Sequence, residues 1–126
     1  MDTREKIVAA GAVGNLLSQG VWIAIAGLFD PLTAIQANRI ASLRRDGRQV
    51  LAIVERGENT LMTAEARAVL IASLRNIDAV TIADCASSVV PPNSNAALIE
   101  DAAGETARSV QFVEFVLERQ RISENQ

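Results

Sequence analysis

Val21-Trp22-Ile23-Ala24-Ile25-Ala26, bounded by Gly20 and Gly27, is an uninterrupted apolar run of strand length. A strand with one wet face alternates apolar and polar residues, so a run that is apolar at every position needs cover on both faces, as in the middle of a parallel sheet. The signature returns in Gln49-Val50-Leu51-Ala52-Ile53-Val54 and, shorter, in Ala79-Val80-Thr81-Ile82-Ala83. Between the first two runs Ile35, Ile40 and Leu43 recur at helical intervals, and Arg44, Arg45 and Asp46-Gly47 supply a basic last turn and a stop. Between the second and third, Thr63 is placed to cap a helix with Glu65 in its first turn and Ala66, Leu70, Leu74 and Ile77 on one face. The β-α-β-α-β alternation predicts a three-layer α/β/α, Rossmann-like fold with a mainly parallel sheet. The expected strand order is 3-2-1-4-5, or a truncated equivalent, with residues 21–26 central.

Outward from this frame the pattern weakens. Asp2 or Thr3 as cap, Ile7, Leu16 and Leu17 as apolar positions and Gly20 as terminator predict a helix over residues 3–19. Ser87-Ser88-Val89-Val90-Pro91-Pro92-Asn93-Ser94-Asn95 reads as a loop, followed by a short helix over residues 96–103. In the tail, Val110, Phe112 and Glu114 alternate like a strand while Val113, Val116 and Leu117 fit a helix, so strand then helix is expected.

The 126 residues, 49% of them apolar, suffice for one core and predict a single domain over residues 1–126. No apolar run approaches the roughly 20 residues of a membrane helix, and the N-terminal stretch is a poor secretory signal, so a cytoplasmic protein without a membrane span is expected. A net charge of −3, with no Tyr, one Trp and three Phe, offers neither a basic field nor a stacking platform and argues against nucleic acid. The chain has no His, which removes the commonest general base and metal ligand. Its single cysteine, Cys85, has no partner for a disulfide or metal site and is expected to be a small buried hydrophobe. Trp22 is expected in the core or an interface, its indole N–H requiring an acceptor. Arg39, Arg44, Arg45 and Arg48 cluster on or after the second helix, where a solvated helix end explains them better than an anion site.

In open α/β sheets the turn after the first strand commonly meets a ligand's phosphates. Here that turn reads Gly27-Leu28-Phe29-Asp30-Pro31-Leu32-Thr33-Ala34-Ile35-Gln36, which resembles the GxFDxxHxGH signature of cytidylyltransferase-like nucleotidyltransferases, including the heptose-nucleotide adenylyltransferase domains. Glu65-Ala66-Arg67 with Leu74-Arg75-Asn76-Ile77-Asp78-Ala79-Val80 is similar to that family's ExRxxxLxxLxxVDxV stretch, so the resemblance spans about two-thirds of the chain, residues 5–84. The departures fall on the chemistry: Thr33 and Gln36 stand where the family has its two histidines, and Ile35 where it has glycine. In the family those imidazoles hold the triphosphate and stabilise charge during attack on the α-phosphate, and neither replacement can be a cation. The β-branched Ile35 also crowds a position where glycine would let phosphate reach the backbone. The loop after the second strand, Glu55-Arg56-Gly57-Glu58-Asn59-Thr60, has two acids and no lysine.

The resemblance implies residual nucleotide-site positions at Gly27, Phe29, Asp30, Thr33, Gln36, Glu65 and Arg67, with no catalytic set and no metal site. Bland alternatives stand beside these: Asp30 as a turn starter before Pro31, Glu65 as a first-turn acid, Arg67 as a surface arginine. The expected function is a catalytically inactive nucleotidyltransferase-fold protein serving as a binding or assembly module in a sugar-nucleotide pathway. The alternatives are an active transferase moving AMP or CMP from ATP or CTP with Mg²⁺, using Thr33, Gln36 and arginines, and a nucleotide sensor without catalysis. No cofactor is expected outside the transferase case. A homo-oligomer, foremost a dimer, is expected from the apolar tail, with a protein partner or a nucleotide as further candidates.

Overall fold

The computed structural model describes residues 2–44, 47–91, 94 and 96–100. Four strands, β1 (Trp22–Gly27), β2 (Gln49–Glu55), β3 (Ala79–Ala83) and β4 (Ala97–Glu100), form one all-parallel sheet in the order β3-β2-β1-β4. The fold is therefore α/β and Rossmann-like, with β1 interior as its composition requires. A fifth strand, the tail and any element after residue 100 lie outside the described residues.

The two-sided burial read from the apolar runs has a direct structural counterpart. Ile23 and Ile25 of β1 and Val50, Ala52 and Val54 of β2 project into one core, whereas Trp22, Ala24, Ala26, Leu51 and Ile53 project into a second on the opposite face. Helix α2 (Ala34–Leu43) contributes Ile40 to the first core, and α3 (Ala64–Ala72) contributes Ala64, Ala68, Ile71 and Ala72. The opposite core is closed by Val13 and Leu17 of the five-residue helix α1 (Val13–Leu17) and by Ala86, Val89 and Val90. Burying each large aliphatic side chain stabilises the fold by about 1.5–3 kcal/mol.

Four sequence expectations need correction. Residues 3–19 are not one helix: 3-10 turns at Thr3–Lys6 and Ala10–Ala12 precede α1, and the chain between them is extended. Ile7 bridges to Val80, the Val8 N–H donates to the Val80 carbonyl at 2.8 Å, and the Thr81 hydroxyl donates to the Val8 carbonyl at 2.9 Å. This segment covers the outer edge of β3, and satisfying an open sheet edge outweighs the helix preference of a stretch weakened by Gly11 and Gly14. The helix expected to begin at residue 96 is instead β4, which pairs with β1 from Ile23↔Ala97 to Ala26↔Glu100. The buried face of α3 is Ala64, Arg67, Ala68, Ile71 and Ala72, rotated from the expected one, and Leu70 is exposed. The fourth concerns Cys85, which is exposed and not a core residue.

Asp78 sets the register at the sheet's N-terminal end. Its carboxylate accepts the Val50 N–H at 2.9 Å and pairs with Arg44 at 3.2 Å, while its own N–H donates to the Val50 carbonyl. Arg48 donates to the Leu43 carbonyl at the end of α2, as its position suggested, whereas Arg44 also donates to the Arg75 carbonyl and so ties the end of α2 to the chain before β3. Arg45 lies outside the described residues. Trp22 is buried as expected, but among the described residues its indole N–H meets no acceptor.

Candidate functional site at the carboxyl edge of the sheet

Ligands of open α/β sheets sit outside the carboxyl ends of the strands, where the chain leaves one strand for a neighbour on either side. In this sheet that point is the end of β1, with β2 on one flank and β4 on the other. The residues singled out from the sequence converge there, and most of them are engaged with the backbone.

Arg67 is 1% exposed, which overturns the reading of it as a surface residue. Its guanidinium donates to five carbonyls: Leu28 and Glu55 at 2.7 Å, Arg56 at 2.8 Å, Met62 at 3.2 Å and Thr63 at 3.3 Å. Those oxygens belong to the chain leaving β1, the chain leaving β2 and the start of α3. A buried cation is tolerated only where its donors are satisfied, and the rigid fork of arginine can reach several carbonyls at once where an ammonium could not.

Asp30 forms a second clasp across the same gap. One carboxylate oxygen accepts the Leu61 N–H at 2.6 Å and the other the Met62 N–H at 2.8 Å, fixing the β2–α3 loop onto the β1–α2 loop. The Asp30–Pro31 peptide is cis. The approach is close enough that a Cβ on Gly57, whose φ is +66°, would lie 2.5 Å from Leu28 Cδ2. Phe29 and Gly27 contribute to the scaffold, Phe29 as a 1% exposed core side chain and Gly27 as the last residue of β1, in register with Val54.

Thr33 and Gln36, at the positions of the two family histidines, bond to each other's backbone. The Gln36 N–H donates to the Thr33 hydroxyl at 3.2 Å and the Thr33 N–H to the Gln36 carboxamide oxygen at 3.0 Å, a reciprocal capping box that starts α2. Gln36 is 2% exposed, whereas Ile35 between them is 59% exposed at the mouth. Threonine followed three residues later by glutamine is the sequence signature of this box, and it coincides with the positions of the histidine motif. Glu65 is exposed in the first turn of α3.

Two features of this edge were not expected. Leu61, held by Asp30 through its N–H, is 84% exposed. Cys85 follows β3 with its sulfur 3.3 Å from the Ser87 hydroxyl. Hydrogen bonds from that hydroxyl and from the Ser88 backbone hold the thiol below its ordinary pKa, against the opposing charge of Glu55. Among the described residues, no three Cys, Asp or Glu side chains converge to hold a metal ion. A depression of about 380 Å³ lined by Asp2, Glu5, Lys6, Arg75, Ile77 and Asp78 lies at the opposite end of the sheet, with charges of both signs interleaved. No protein-family model matches this chain, and no curated protein matches it.

Arg67→Leu is expected to destabilise the protein by about 3 kcal/mol in urea unfolding, because the carbonyls at the ends of β1 and β2 lose their donor, and Arg67→Lys should recover only part of that. For Cys85, the rate of alkylation by iodoacetamide should rise with pH around a midpoint below that of an unperturbed thiol. Ser87→Ala removes the principal donor to the thiolate and should move the midpoint upward; an unchanged midpoint would show that the hydroxyl is not the cause.

Proposed function

We propose that the chain is a catalytically inactive protein of nucleotidyltransferase-like fold that acts as a binding or assembly module, its place in a sugar-nucleotide pathway resting on the resemblance alone. The observation that carries the reading is the capping box. The side chains at both histidine positions of the motif are spent on starting α2, and Gln36 is buried in doing so. Neither can carry positive charge, and turning Gln36 toward a ligand would leave the Thr33 N–H without its acceptor. Loss of one preorganised donor in a transfer site commonly lowers the rate by about 10²–10³, and here two are replaced. The buried Arg67 cannot substitute for them, because its donors are directed at carbonyls.

The transferase reading requires pyrophosphate release from CTP or ATP in the presence of Mg²⁺ and a phosphorylated sugar, alcohol or amine. The expected result is no release above background. Turnover that Gln36→Ala abolishes would overturn the proposal, and a thermal shift with CTP or ATP without turnover would favour a nucleotide sensor.

Self-association belongs to the same proposal. The apolar tail positions Val110, Phe112, Val113, Phe115, Val116 and Leu117 lie outside the described residues, but together they offer a predominantly apolar sequence suited to a symmetric contact. Light scattering at micromolar concentration should give a dimer that Phe112→Asp with Phe115→Asp dissociates. A monomeric wild type, soluble also when truncated after Thr106, would remove the dimer from the proposal.

A further inference from the structure

The carboxyl edge of the sheet combines two properties that a phosphate site would not have. The first is charge: among the described residues, Glu58, Glu65 and Asp84 are exposed there and Glu55 is half-buried, while the exposed cation of this edge, Arg56, is paired with Asp84 at 3.2 Å. Such a mouth repels a polyanion and attracts cations. The second is apolar display. Leu61, on the loop that leaves β2, and Ile35, in the first turn of α2, stand 84% and 59% exposed, with the exposed Pro31 between the motif aspartate and α2. A single exposed leucine on a mobile loop needs no explanation. Leu61 is not on such a loop: its own N–H and that of Met62 are held by Asp30, and the Thr60 hydroxyl donates to the Met62 carbonyl at 2.9 Å. An apolar side chain held outward on a braced backbone loses little entropy when it is covered, which is what an interface anchor requires.

We infer that this mouth is a docking surface for a cationic, amphipathic segment of a protein partner, whose apolar side chains cover Leu61 and Ile35 while its lysines or arginines meet Glu58 and Glu65. The inference rests on the reading of the chain as a binding module and names the chemistry of what it binds. Charge complementarity chooses the occupant: an anionic ligand is disfavoured by the acids, and a purely apolar one would leave them unmatched.

Cys85, exposed at the same edge and the chain's sole cysteine, provides a local probe. The full-length protein carrying an environment-sensitive fluorophore on Cys85 is titrated with a short helical peptide of leucine and lysine, and with a peptide of the same pattern carrying glutamate for lysine. Calorimetry on the unlabelled protein accompanies each titration. The lysine peptide is expected to bind, with affinity falling as salt rises, while the glutamate peptide and CTP do not. Leu61→Ser and, separately, Glu58→Lys with Glu65→Lys should each weaken binding roughly tenfold or more. All three positions are exposed, and unchanged unfolding midpoints will show that the fold is intact. Binding indifferent to these variants, binding of the glutamate peptide or CTP at this edge, or self-association relieved by Leu61→Ser would each overturn the inference. Pyrophosphate release would instead overturn the parent reading, so the two failures are separable.

Discussion

Parallel strands end with carbonyls that no neighbour completes, and two chains leaving adjacent strands must still be held together without water. In this protein one guanidinium meets that need. Arg67 enters from the first turns of α3 and donates to carbonyls at the ends of β1 and β2 and at its own helix start. Because its partners are neutral, the charge is stabilised by dipoles and not by an ion pair, so its position is fixed by direction as well as distance. The Asp30 clasp depends on that arrangement, since it reaches the Leu61 and Met62 N–H groups only when the two loops lie side by side.

The motif loop consequently belongs more to the scaffold than to an open site. Phe29 is in the core, Asp30 binds backbone, and Thr33 and Gln36 close on one another. Outward on and beside these loops stand the apolar Pro31, Ile35 and Leu61 and the acidic Glu58 and Glu65, with the exposed Arg56 paired to Asp84. A loop whose polar groups are consumed internally is rigid, and its outward face is then defined by what the scaffold leaves over. That links the packing at Arg67 to the surface chemistry of the mouth.

The legible parts of the fold are those where burial demands a residue type at every position. β1, β2 and β3 were readable to within a residue or so because Ala and β-branched or aliphatic residues run unbroken through them, and the start of α3 because Thr63 caps it. β4 was not, since Ala97-Leu98-Ile99-Glu100 is too short to show a period and only pairing with β1 makes it a strand. The N-terminal segment failed for a related reason: its extended stretch exists because β3 has an edge to cover. The buried face of α3 departs from the apolar spacing because Arg67 lies in it, and arginines belong to solvent unless a constellation of carbonyls receives them. Cysteine is commonly a core residue, but Cys85, just before the turn at Ala86–Ser88, is exposed.

By itself the sequence determined that three apolar runs would become a parallel sheet with helices against it, and where helices α2 and α3 would lie, because these follow from periodicity and from capping residues adjacent to what they cap. Only the tertiary structure decided what Asp30, Gln36 and Arg67 do. A polar side chain serves a ligand or the backbone according to which unpaired groups come within about 3 Å of it, and for Arg67 the decisive carbonyl, that of Leu28, lies 39 positions away along the chain. Local spacing carries no record of such a meeting; the packing of two loops against one helix creates it.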